Sequence, residues 1–230
     1  MVNRPGLGAD GYGKNWNPAN HYKDAGVAAA YDGSRFTSPV GRLFNRLEKR
    51  RVRMAFASLA PGARIADVPC GTGRLAEALL EAGYQVDGYD ISPQMLDVAA
   101  RRLARFGDRF RPRVGDARSK AGFAEASDGV LCARVLMHFP YPEQVAFLRN
   151  VASLTSGTVV FTQGVVTPWH RARRAVKVLL GHQRPAAYPL SRQEARTIFR
   201  DAGLREIRRF RIFPILSESR VFVARNMTDR

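Results

Sequence analysis

From Ala63 onward, short apolar runs alternate with helix-like stretches, and this alternation constrains the fold more than any other feature of the chain. "ARIADVP" (63–69), "YQVDGYDI" (84–91), "RFRPRVGDA" (109–117), "DGVLCARVL" (128–136) and "TVVFTQGVV" (158–166) have the length and apolar bias of strands. Between them lie "GRLAEALLEAG" (73–83), "SPQMLDVAARRLARFG" (92–107) and "YPEQVAFLRNVASLTSG" (141–157), which read as helices. Gly83 is a plausible stop for the first, and Ser92 with Pro93 an N-cap and first turn for the second. The rhythm predicts an α/β fold with a doubly wound parallel sheet and helices on both faces. A chain of 230 residues, 45% hydrophobic, is long enough to bury the core such a sheet needs.

After Val166 the rhythm changes. "TPWHRARRAVKVLLGHQ" (167–183) is a basic helix, with Trp169, Ala172, Val176 and Leu179 at helical spacing. Such a stripe is more often packed onto its own domain than used for docking. As a basic amphipathic helix it also reads as a membrane-surface or acceptor-cap element. Ser191 then caps "RQEARTIFRDAG" (192–203), and "LREIRRFRIFP" (204–214) and "ESRVFVAR" (218–225) form an expected antiparallel strand pair. Ahead of the alternation, residues 1–20 are rich in Gly, Asn and Pro and read as a flexible arm. Residues 21–62 read as an N-terminal helical lid: a weak helix stopping at Gly33, then a strong one over Gly41–Gly62. Leu43, Phe44, Leu47, Val52, Met54, Phe56 and Leu59 give the strong helix its spacing, and Pro61-Gly62 its stop. The main domain is then 63–230, with an insertion at 166–190.

The net charge is +17, mostly from arginine. A surface of that sign suits nucleic acid or anionic lipid, yet the basic residues are spread along the chain. The N-terminus lacks the apolar core of a secretory signal, and no window reaches the length of a membrane span. Cys70 and Cys132 are the two cysteines, and no Cys/His cluster suggests a metal. These features point to a cytoplasmic protein, with a peripheral place at the inner face of a membrane left open by the charge.

The first strand ends in "DVPCGTGR" (67–74). Gly71 and Gly73 allow close backbone approach to a ligand, and the helix that follows offers free N–H groups to the same crevice. "GTGRLA" also spells the dinucleotide fingerprint GxGxxA, a weak signal alone. Asp67 argues against a pyrophosphate and for a ligand carrying a positive amine, its bland alternative being a loop-capping acid. Asp90, at the end of the second strand, suits two ribose hydroxyls, or else an N-cap. Asp116, after the third, suits an exocyclic amine, or else a turn.

Three acids at three successive strand ends beside a glycine loop resemble the class I S-adenosylmethionine-dependent methyltransferases, particularly the small-molecule, ubiquinone-biosynthesis-like branch. "DVPCGTGR", "YDIS", "GDA" and "DGVLCARVLMHF" carry the resemblance. It implies a Rossmann-like sheet of seven strands with the last antiparallel. It implies that Asp67, Gly71 and Gly73 contact the methionine part of S-adenosyl-L-methionine, with Pro69, Cys70, Met95 and Arg134 also along the cofactor. Asp90 would hold the ribose, Ile91 would pack on the adenine, and Asp116 and Ala117 would meet its amine and ring. Pro69-Cys70 departs from the small flexible pair of many members.

Methyl transfer needs alignment and exclusion of water, and a base only for a protonated nucleophile. His138 is the base candidate, against a packing role; Arg134 lines the pocket or binds an anionic acceptor, against a solvated strand-end charge. Tyr31 and Arg35 are candidates for closing over the cofactor, and Trp169 for the acceptor side. The expected activity is methylation of an oxygen or nitrogen on a small-molecule or lipid-type acceptor. The alternatives are an RNA or protein methyltransferase, a non-catalytic binding module, and a nicotinamide-dependent dehydrogenase resting on GxGxxA alone.

Overall fold

The computed structural model describes residues 36–119, 122–123, 126–179, 188–213 and 217–227. Tyr31, Arg35, the arm over 1–20 and the weak helix over 21–33 therefore lie outside the described residues. Helix α1 (Pro39–Ala55) precedes β1 (Arg64–Asp67), α2 (Arg74–Glu81), β2 (Gln85–Asp90), α3 (Pro93–Leu103), β3 (Phe110–Val114) and β4 (Ser127–Cys132). Then come α4 (Tyr141–Ala152), β5 (Thr155–Gly164), α5 (Pro168–Leu179), α6 (Glu194–Asp201), β6 (Leu204–Arg211) and β7 (Ser219–Asn226). The seven strands form one sheet in the order β3-β2-β1-β4-β5-β7-β6. β1 to β5 run parallel, and β7 is antiparallel to both neighbours. This is the expected doubly wound architecture.

Alternation along the strands feeds two apolar layers. Val130 and Cys132 of β4, Val159 and Phe161 of β5, and Phe222 and Ala224 of β7 join α4 and α6 on one face. Leu131, Val160, Val221 and Val223, one residue out of phase, join α1, α2 and α3 on the other. A period of two is what divides one strand between two cores. The edge strands are protected from further pairing: β3 carries Pro112 between two arginines, and β6 reads Leu-Arg-Glu-Ile-Arg-Arg-Phe-Arg.

Several boundaries differ from the sequence expectation. α1 stops at Ala55, well before Pro61-Gly62. Phe56 leaves the helix to be fully buried, and its carbonyl accepts a hydrogen bond from the Tyr84 hydroxyl (2.8 Å). The buried face of α1 is Glu48, Val52 and Ala55, while Leu43 and Met54 are exposed. α4 ends at Ala152, because Thr155 already pairs with Ser127 in the sheet. β4 ends at Cys132, and Arg134 turns the chain with φ +61°. Ser92 caps α3 as expected, its hydroxyl accepting from the Met95 N–H (3.2 Å). Ser191 and Glu194 cap α6 reciprocally: each side chain accepts from the other's backbone N–H, at 3.2 and 2.7 Å.

Candidate cofactor and acceptor site

Strand order reverses between β1 and β4, so the carboxyl ends of these strands splay apart and leave a crevice. A cleft of about 150 Å³, open at its mouth, lies there. Its walls come from the β1–α2 loop, the ends of β2 and β3, and the turn after β4. Asp67, Pro69, Cys70, Gly71, Asp90, Ile91, Met95, Asp116, Ala117, Arg134 and His138 all line it. Two glycine-loop expectations part here. Gly71 faces open space, whereas Gly73 is absent from the cleft wall and sits under α3. Trp169 is also outside the cleft, exposed on α5.

Asp67 is buried, and its Oδ2 has no hydrogen-bond partner. The Ala76 N–H donates to the carboxylate, and Arg74 lies near enough to favour its charge. Burial outweighs both, and with the neighbouring Asp90 it pushes the carboxyl up from 3.8 to about 8. An acid in this state is a poor neighbour for phosphate and a ready partner for a cation that enters the cleft.

Asp90 is held by backbone. Its Oδ2 accepts from the Gly71 N–H (2.9 Å) and its Oδ1 from the Ser92 N–H (2.9 Å). Burial raises its pKa while these donors and the Ile91 N–H oppose the rise. The helix-start role and the cleft-lining role thus coexist, because each carboxylate oxygen has a second lone pair. Asp116 makes a local turn: its Oδ1 accepts from the Arg118 N–H (2.9 Å), and its carboxylate pairs with the Arg118 guanidinium (2.9 Å). Cys70 packs against Gly88 of β2, and burial pushes its thiol well above the usual range, which favours the neutral thiol.

The arginines hold the part of the site that sequence reasoning missed. Arg74 Nη2 lies 2.6 Å from Glu48 Oε2, and its Nη1 donates to Asn45 Oδ1 (2.6 Å). Arg134 Nη1 lies 3.8 Å from the other Glu48 oxygen. Both guanidiniums stand over the Phe36 ring, at 4.7 and 5.9 Å from its centroid. Arg134 is therefore no solvated strand-end charge. The signal in the sequence is a glutamate, Glu48, on the apolar side of α1. His138 closes a short 3₁₀ turn (Leu136–His138) and lines the cleft, its N–H bonded to the Val135 carbonyl (3.0 Å).

Among the described residues no group of His, Cys, Asp and Glu could hold a metal ion. The cleft wall holds two buried acids, Asp67 and Asp90, together with Asp116 and His138.

Residues 65–157 match a protein-family model described as "Methyltransferase domain". The chain is 37% identical over 95 residues to a ubiquinone biosynthesis O-methyltransferase of Xanthomonas campestris, covering 41% of this chain and 39% of that protein. It is 31% identical over 105 residues to a magnesium-protoporphyrin O-methyltransferase of Synechocystis, 44% of each. The matches thus span under half the length of these curated relatives. A solved structure of magnesium protoporphyrin IX methyltransferase from Synechocystis, with SAH bound, has a TM-score of 0.71 at 22% identity, covering 90% of this chain and 97% of that one. The CcbJ methyltransferase from Streptomyces caelestis gives 0.66 at 19%, covering 91% and 99%. Both share the fold.

Proposed function

We propose that the chain, whose residues 65–157 match a model described as a methyltransferase domain, is a class I S-adenosylmethionine-dependent methyltransferase that binds its cofactor in this cleft and methylates an oxygen on a small-molecule or lipid-type acceptor. The observation that carries the reading is the buried, unpartnered Asp67 Oδ2 at the glycine loop. A cofactor ending in an amino acid places an ammonium there; a dinucleotide would place a pyrophosphate. The open space over Gly71 gives that end of the ligand room. Solved relatives in fold carry SAM and SAH, and the curated relatives named above are O-methyltransferases, which supports an oxygen acceptor.

When bound, S-adenosylmethionine supplies an electrophilic methyl group on a sulfonium. Asp67 would take the ammonium, and Asp90, already fixed by Gly71 and Ser92, would offer its remaining lone pairs to the ribose hydroxyls. Ile91, Met95 and Ala117 would pack against the adenine, and Asp116 would meet its amine. His138 would accept the proton of an acceptor hydroxyl as its oxygen is methylated. The apolar walls, Phe139 and Phe147 among them, exclude competing water. Two free, buried cysteines are compatible with a reducing compartment, which supports a cytoplasmic place.

Calorimetry with S-adenosylmethionine and S-adenosylhomocysteine tests the cofactor. Failure of both to bind the folded chain sinks the reading. A labelled-methyl assay on a fractionated extract then tests the acceptor. Label in the lipid or small-molecule fraction is expected, and label in RNA or protein instead would overturn the acceptor class.

A further inference from the structure

β6 ends the sheet, and among the described residues no strand pairs with its outer edge. That edge is crowded with one charge. β6 and β7 together carry six arginines, Arg205, Arg208, Arg209, Arg211, Arg220 and Arg225, against a single acid, Glu206. Glu206 pairs with Arg209, and none of the other five arginines forms an ion pair among the described residues. The register adds to the crowding. Arg205 stands directly opposite Arg225, and Arg211 directly opposite Arg220. Like charges in opposed positions destabilise a strand pair. Burial, with Arg211, Arg209 and Arg192 nearby, holds the Arg220 guanidinium below its ordinary pKa. An anion brought from outside would relieve what the strand pair's own acids do not.

The directions of the arginines decide which anion fits. Arg209 pairs in register with Phe222, whose ring lies in the core under α4 and α6, and Arg211 follows two residues on. Both therefore stand on that face. Arg205 and Arg208 pair with Arg225 and Val223, and Val223 belongs to the opposite core, so these two stand on the other face. The alternation is broken once, by the register shift between Glu206 and Arg208, where Ile207 is 51% exposed.

A bilayer or a nucleic-acid duplex lies against one face of a sheet at a time. A single nucleic-acid strand would find the exposed Ile207 on β6 but no exposed ring on which to stack a base. An extended polypeptide differs from both. Its main chain pairs with the edge N–H and C=O groups, and its alternating side chains reach both faces. Carboxylates on those side chains suit the planar fork of a guanidinium. A second copy of β6 would instead set arginine against arginine, so the charges that stop the chain pairing with itself admit an acidic strand.

We propose that the outer edge of β6 docks an extended acidic segment of a partner protein, which joins the sheet as a further strand with carboxylates over arginines on both faces. β6 lies three strands from β4, about 14 Å at the usual strand spacing. The docking edge is thus apart from the cleft and does not rest on the methyl-transfer reading.

The test uses the full chain and a fluorescein-labelled dodecapeptide in which pairs of glutamates alternate with pairs of valines. Extended, it turns glutamates to both faces. Fluorescence anisotropy at about 0.1 M salt should show binding, and amide exchange over 204–211 should slow. The same peptide N-methylated at its valines keeps every charge but has both edges blocked, and it should bind at least about tenfold more weakly. Arg205→Glu/Arg208→Glu on one face, and Arg211→Glu on the other, should each weaken binding about tenfold and leave S-adenosylhomocysteine affinity unchanged. No peptide binding up to about 1 mM, equal binding of the methylated peptide, or undiminished binding by either variant would each overturn the proposal. So would protection of 204–211 by polyuridylate, by phosphatidylglycerol vesicles or by self-association where the peptide gives none. Peptide docking by a chain that binds no S-adenosylhomocysteine would support the edge and refute the cofactor reading.

Discussion

Glu48 of α1 and Arg74 of α2 form an ion pair at 2.6 Å in which both side chains are almost wholly buried. Glu48 also faces Arg134 at 3.8 Å, so one acid ties the N-terminal helix to two walls of the cleft. Removing it leaves two cationic groups short of a partner in a poorly solvated place. Glu48→Ala should therefore cost about 3 kcal/mol in urea unfolding. Glu48→Gln, which keeps a hydrogen-bond acceptor, should cost less. An alanine variant as stable as wild type would mean the pair is solvated in practice.

Asp67 should make both stability and cofactor affinity depend on pH. Burial, with Asp90 nearby, raises its folded pKa to about 8 from 3.8. Between these values the folded chain holds a proton that the unfolded chain releases. The sign follows: stability from this group is fullest below about pH 4, declines as pH rises toward 8, and is level above. Asp67→Asn should flatten that decline in unfolding titrations. Cofactor affinity runs the other way, because an ammonium needs the ionised form. Calorimetry with S-adenosylhomocysteine should show affinity rising up to about tenfold per pH unit below pH 8, with proton release. A flat profile would mean the ammonium does not reach Asp67.

How much of this was legible before the structure depended on the type of interaction. β1 to β5 and their helices were legible because short strand-like runs alternate with helix-period stretches bounded by turn and capping residues. The cleft acids were legible because strand ends at a switch point are where ligands sit, so position alone marked Asp67, Asp90 and Asp116. The Glu48–Arg74–Arg134 cluster was not, since its members lie 26 and 60 residues apart in sequence (48 to 74, 74 to 134) and only the folded sheet brings them together. Nor was the fate of the α5 stripe. Periodicity shows that a face is apolar but not whether anything covers it.

The two loop glycines should fail differently. Both have positive φ, +54° at Gly71 and +75° at Gly73. A Cβ on Gly71 meets nothing within 4 Å, while one on Gly73 would come 2.7 Å from Leu103 Cδ1. Gly71→Ala should cost only about 1 kcal/mol of backbone strain, with loss of cofactor affinity as the larger effect. Gly73→Ala adds overpacking against α3 and should cost about 3 kcal/mol. Paired unfolding and calorimetry curves separate the two. A Gly73 variant that is stable yet fails to bind would place that glycine on the ligand after all.

Asp90 has two tasks that substitution can divide. It holds the Gly71 and Ser92 N–H groups, and it is the group proposed to meet the ribose. Asp90→Asn keeps one carbonyl acceptor and places an amide where the other oxygen was, against a backbone donor. Asp90→Ala removes both acceptors and leaves buried N–H groups unpaired, which costs about 1–3 kcal/mol. Adenosine, which has the ribose but no amino acid, reports the second task alone. Its affinity should fall about tenfold or more in Asp90→Ala, in line with one or two lost hydrogen bonds. Inorganic pyrophosphate should bind neither variant nor the wild-type chain. If adenosine binding is unchanged while thermal stability drops, Asp90 is a brace for the loop, and the ribose is held elsewhere.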